Sequence, residues 1–196
     1  MGRRSDHSRA ELEALIVGEG HRVLAETGFA GFSARAVARR IGYSIGTIYN
    51  LFDSLDHLLI AINGRTFEYW TAYVQERVDH GGEDRIRALV EAYFGFALEH
   101  PQLWMAIYDH RLPPGMAMPE PDMEKRRALT RIVFAEIARQ LPASSESDVE
   151  HLARSLIATV HGHCTFALNG SFELMGEKQP VELALSRVRE AIAAAR

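Results

Sequence analysis

The chain has 196 residues, 47% of them apolar and 24% charged, with a formal net charge of −4. That is enough for one large domain or two small ones with a real core, and the composition is globular rather than disordered or fibrous. One cysteine excludes an internal disulfide framework. No apolar run approaches the ~20 residues of a membrane helix, and MGRRSDHSRA lacks the apolar centre of a signal peptide, so the expectation is a cytoplasmic protein without membrane contact.

In chain order almost every segment reads as helix. The first spans about Ser8 to Thr27, with Leu12, Leu15, Ile16, Val23 and Leu24 at helical spacing and Gly28 as its stop. Ser33 precedes a short helix whose Val37, Ala38 and Ile41 share a face, and it offers a capping hydroxyl. Gly42 sits where a helix end needs positive φ, and Ser44 caps a second short helix through Ile48 and Phe52. Two short helices across such a turn form a helix-turn-helix, whose second helix fits a DNA major groove.

Asp53-Ser54 then opens a long helix over about 55–79, broken by Gly81-Gly82. A fifth helix carries Ile86 to Ala97, and His100-Pro101 ends it and starts a sixth. PPGMAMPEP at 113–121 is a loop with four of the seven prolines. Helix seven covers about Met123 to Leu141. Helix eight is capped by a Ser147/Glu150 box and covers about 146–172, and a last helix at 180–195 opens on Pro180. The expected class is all-α with about nine helices. Residues 1–54 form a three-helix helix-turn-helix DNA-binding domain, and residues 55–196 a helical ligand-binding and dimerisation domain.

Charge fits that division. Residues 1–56 hold seven Arg and seven acids, so the whole −4 lies on the rest of the chain. A neutral head with clustered arginines on an acidic body suits DNA contact at one end only. With Ile48 and Phe52 turned inward, Tyr43, Ser44, Ile45, Thr47 and Asn50 are the outward candidates. Asn50 suits adenine and Ile45 a thymine methyl. Of Arg35, Arg39 and Arg40, at least one is expected on the phosphate backbone and one on a merely solvated face. Arg3, Arg4, His7 and Arg9 form a basic arm that suits either an adjacent minor groove or, equally, a disordered leader.

The stretches LIVGEGHRVLAETGF, SARAVARRIGYSIGTIYNLF and DSLDHLL, about residues 15–59, resemble the tetracycline-repressor (TetR) family of bacterial transcription regulators, most specifically in the run over 41–52. YFGFALEHPQLWMAIY at 93–108 and VHGHCTFALNG at 160–170 resemble a C-terminal regulatory type named for a Trp-His-Gly motif, with Val160 in place of the tryptophan. The resemblance implies hydroxyl contacts from Thr47 and Tyr49 to phosphates. With Ser33, Arg35, Arg39, Tyr43, Ser44, Ile45 and Asn50 they make up the expected DNA-binding set. The chain departs from the family pattern in three respects. Glu19 and Gly20 stand where two small residues are usual, Leu51 replaces a histidine, and Leu55 replaces a basic phosphate contact. The last change is expected to flatten the salt dependence of DNA binding by about one unit of slope.

One short recognition helix is too little for specificity, so a homodimer on a palindromic double-stranded operator is expected, formed through the last two helices as a four-helix bundle. In the body, Trp70, Phe94, Trp104, Met105, Tyr108, Met116, Phe134, His161 and Phe166 suggest a cavity for an apolar small-molecule effector, with the Pro/Met loop as lid. Ordinary core packing competes with that reading for each residue alone. His161, His163 and Cys164 do not share one helical face, so neither a metal site nor a cofactor is expected. No nucleophile or acid–base pair stands out, which argues against an enzyme. The expected function is a ligand-responsive repressor released from its operator by the effector. The alternative is a dimer of the same fold that binds a small molecule without sequence-specific DNA binding.

Overall fold

A computed structural model describes residues 7–196. Among them there are ten helices and no strand. They are α1 (Arg9–Gly31), α2 (Ala34–Ile41), α3 (Ile45–Phe52), α4 (Leu55–His80), α5 (Arg85–Glu99), α6 (Pro101–Asp109), α7 (Glu120–Gln140), α8 (Glu146–Leu168), α9 (Ser171–Leu174) and α10 (Pro180–Ala194). Residues 3 and 4 of the expected basic arm lie outside the described residues. No helix among those described is long and apolar enough to cross a membrane.

Local chemistry explains the ends of these helices. Ser8 and Glu11 make a reciprocal capping box at the start of α1. Gly28 (φ 67°, ψ 177°) interrupts α1 where the sequence expects its stop, and one further turn follows. Two capping expectations need correction. Ser33 holds the N-cap position of α2, but its side chain makes no capping hydrogen bond. Helix α8 is capped by Ser145, whose Oγ accepts from the Asp148 N–H, and not by Ser147. The helix expected over 146–172 ends at Leu168, because Asn169 caps it and left-handed Gly170 starts the short α9.

The chain packs as two compact units. The first runs through Phe67 and takes in Gln102–Lys125; the second comprises Glu68–Pro101 and Arg126–Arg196. The domain boundary drawn at residue 54 in the sequence therefore differs from the packing. The reason is apolar: Leu58 and Ile62 of α4 and Leu103 and Ala106 of α6 share one core with Ile16, Val37, Ile48 and Phe52. Each fully buried large side chain there contributes about 1.5–3 kcal/mol. In that core Gly20 lies so close to Ile62 that an added Cβ would stand 2.5 Å from Ile62 Cδ1.

The second unit buries Trp70, Val78, Val90, Phe94, Phe96, Leu156, Val160, Leu185 and Val188. Helices α8 and α10 pack together, and both meet α5. Glu136 is buried, and its two carboxylate oxygens accept from Arg85 at 2.8 and 2.9 Å. A buried charge without such a partner would cost several kcal/mol.

Candidate nucleic-acid interface

The turn between α2 and α3 is closed by Gly42, left-handed at φ 74° and ψ 27°, where a side chain would be strained. Helix α3 is anchored by Ile48 and Phe52, at 0% and 6% exposure. Its start is locked by Ser44, whose Oγ accepts from the Thr47 N–H at 3.1 Å and lies 3.0 Å from Thr47 Oγ1. The anchoring leaves the other face outward. Ser44, Tyr49 and Asn50 are exposed, and Tyr43, Ile45 and Thr47 are half-buried.

The three arginines of α2 differ. Arg40 is clamped to α1, donating to Glu26 through both terminal nitrogens and to Glu19 at 3.3 Å. These bonds drive its pKa above the usual guanidinium range and hold the Glu26 carboxyl below the usual carboxylate range. Arg35 and Arg39 are exposed, and among the described residues neither makes an ion pair. The exposed face of this unit therefore offers two uncommitted guanidinium groups, the hydroxyls of Ser44, Thr47 and Tyr49, and the Asn50 carboxamide. Such groups suit phosphate oxygens and base edges. Tyr43 carries a further contact, its hydroxyl 2.9 Å from Nδ1 of His7, with the rings edge-on at 6.2 Å.

Two features of this surface were not visible in the spacing of residues. Leu55 is 38% exposed, an apolar side chain on the surface at the start of α4. Next to it in sequence, Asp56 Oδ1 accepts from Nε2 of His110, a residue 54 positions away.

The residues expected to line an effector cavity fall in both units. In the first, Trp104 is buried, with Tyr108 at 5.1 Å between ring centroids; Met105 and Tyr108 are exposed and Met116 half-buried. In the second, Trp70 stacks on Phe96 at 5.0 Å and 12° and meets Tyr93 edge-on, while the Tyr93 hydroxyl lies 3.0 Å from His161 Nδ1. Burial lowers the pKa of His161 and so favours the neutral imidazole there. Phe94 is buried beside this cluster in sequence, and Phe166 is 44% exposed with its ring against Phe172. Phe134, on α7, lines an open groove of about 360 Å³ with Ala138, Leu141 and Val149, and none of the other eight residues lines it. Among the described residues no three His, Cys, Asp or Glu are grouped to hold a metal ion. His163 Nδ1 lies 2.8 Å from the Thr159 carbonyl oxygen instead, and burial pushes the Cys164 thiol up to about 12.

Comparison with known proteins bears on both parts. Residues 16–62 match the family model of bacterial regulatory proteins, tetR family, and residues 86–190 match that of the tetracyclin repressor-like C-terminal domain. The HTH-type transcriptional regulator Rv1816 of Mycobacterium tuberculosis is 31% identical over 124 residues, 61% of this chain and 53% of that protein. The chain thus spans about half the length of the curated relatives it matches. Among solved structures, a protein of unknown function from Rhodococcus sp. RHA1 superposes with a TM-score of 0.73 at 23% identity, covering 98% of both chains. The putative regulatory protein SCO4313 superposes at 0.70 and 21% identity, covering 96% of this chain and 98% of its own. At such identities the two structures speak for the fold.

Proposed function

The chain belongs to the tetR family of bacterial regulatory proteins, a family of non-enzymatic DNA-binding regulators, and from that premise we propose that it is a sequence-specific transcription regulator acting as a homodimer. The observation that carries the reading is the division of labour on α2 and α3. Ile48 and Phe52 anchor the recognition helix, Arg40 is consumed by α1, and Arg35, Arg39, Tyr49 and Asn50 are left on the surface. Ser33, Tyr43, Ser44, Ile45 and Thr47 complete the proposed contact set. Phosphate contacts by the arginines and hydroxyls set register, and Asn50 and Ile45 read bases.

The dimer forms through α8 and α10. Two half-sites one helical turn or multiples apart then require an operator with two-fold symmetry. Repression is relieved when an apolar small molecule binds the aromatic residues of the body and favours the form that does not fit the operator. The aromatic cluster of Trp70, Tyr93, Phe96 and His161 supports such a site. A second reading, a dimer of this fold without sequence-specific DNA binding, is favoured only by the exposed Leu55. Selection of bound fragments from the source genome separates the two. Recovery of one inverted-repeat sequence supports the first, and recovery of no shared sequence supports the second.

A further inference from the structure

Residues 102–125 are far from the helix-turn-helix in sequence, yet they pack as part of the same unit. Leu103 and Ala106 enter its core, and the Asn63 side-chain amide donates to the Ala106 carbonyl at 3.4 Å. An added Cβ at Gly28 would stand 3.0 Å from Gln102 Oε1, and one at Gly64 would stand 2.7 Å from Asp122 Oδ1. At the end of α6, His110 has only 4% of its side chain exposed. Its ring lies 6.0 Å from that of Phe29, and its Nε2 donates to Asp56 Oδ1 at 3.1 Å.

Asp56 sits in the first turn of α4 with 33% of its side chain exposed. It lies three positions after Asp53, which caps the recognition helix, so chain length alone keeps it within ~11 Å of that cap. That places the carboxylate within about one Debye length of the C-terminal end of α3 at moderate salt, so its charge adds to the repulsion met by DNA phosphates near that helix. A buried donor that pins one carboxylate oxygen limits how far that charge can swing toward the phosphates.

We propose that His110, outside the helix-turn-helix, tunes the grip of the head on DNA by keeping the Asp56 carboxylate turned inward and hydrogen-bonded. The proposal rests on the DNA-binding reading above. His110 acts as a positioning residue and touches no DNA itself. Loss of the His110 contact frees Asp56 and weakens binding without altering any group that reads DNA.

The test is fluorescence anisotropy of a labelled duplex, titrated with the full chain at about 50 and about 300 mM salt. H110A weakens binding about three- to tenfold at the lower salt, and the difference shrinks at the higher one, as a screened charge effect must. H110Q keeps a donor and stays within about twofold of the parent protein. H110A/D56N returns to the affinity of D56N, because no carboxylate is left to release. D56E, which leaves His110 untouched but carries its charge past the imidazole, weakens binding where D56N does not. The proposal is overturned if H110A equals the parent, or if the double variant stays as weak as H110A, which would mark a purely structural role. Equal binding by D56E and D56N overturns it as well, even if H110A fails to fold. A parent protein that binds no duplex at low salt overturns the DNA-binding reading itself.

Discussion

The close approach of α1 to α4 can be tested by adding one methyl group. Gly20 is buried, and a Cβ built on it stands 2.5 Å from Ile62 Cδ1 and 3.0 Å from Cγ1. Ile62 is itself 0% exposed, so it cannot swing into solvent to make room. Overpacking of this kind costs about 1–3 kcal/mol, and replacing Gly by Ala inside a helix returns about 1 kcal/mol. Gly20→Ala should therefore destabilise the protein by up to about 2 kcal/mol, or up to about 8 °C in melting temperature for a chain of this size. Ile62→Val removes Cδ1, the atom in the shortest contact, and alone costs about 1 kcal/mol. In the double variant the added methyl occupies the space that Cδ1 has left. The combined loss should then fall short of the sum of the single losses by about 1 kcal/mol. Urea denaturation of the four proteins measures the cycle. Strict additivity, or a Gly20→Ala protein more stable than the parent, would refute the packing argument.

Further outcomes follow from the surface. Leu55→Lys should tighten DNA binding and steepen the salt dependence by about one unit for each half-site, measured by anisotropy across a salt series. Arg39→Ala should flatten that dependence by a similar amount. Arg40→Ala, which breaks the clamp on Glu26 and Glu19, should lower the thermal midpoint and leave the salt slope little changed in the same assays. Acid should loosen the ion pairs. Glu26 and Glu182 are held below their reference value of 4.5 by Arg40 and Arg87, so the unfolded chain binds more protons there than the folded one. Their contribution is fully present above that value and is lost as pH falls through the lowered folded values, and denaturation midpoints should decline in that window. A loss that begins near neutrality would point to other groups. Cys164, buried with its thiol pushed up to about 12, should resist a thiol reagent at pH ~8 until denaturant opens the fold.

Local signals were legible in the sequence, and distant ones were not. The Gly42 turn, the Ser44 cap and the inward Ile48 and Phe52 all follow from residues within a few positions of one another. The Ser145 cap was missed because Ser147 and Glu150 fit the same short pattern two residues further on. Arg40 could not be told from Arg35 and Arg39 by composition. Its fate depends on Glu26, which packing brings alongside α2. The place of α6 in the first unit left no signal at all, since His110 and Asp56 are 54 positions apart and ordinary in isolation. Aromatic content likewise does not show that Trp104 and Tyr108 pack in the first unit and Trp70 in the second.

Sequence-specific DNA binding by the α2–α3 face is the central claim, and one titration tests it most directly. The full chain is titrated at low salt into the duplex upstream of its own gene and into a scrambled duplex of equal composition, for the parent protein and for Asn50→Ala. The account predicts tighter binding to the natural duplex with two chains per duplex, and a loss of about 1–3 kcal/mol per recognition helix on that duplex alone when Asn50 is removed. Equal affinity for the two duplexes, unchanged by Asn50→Ala, would contradict it.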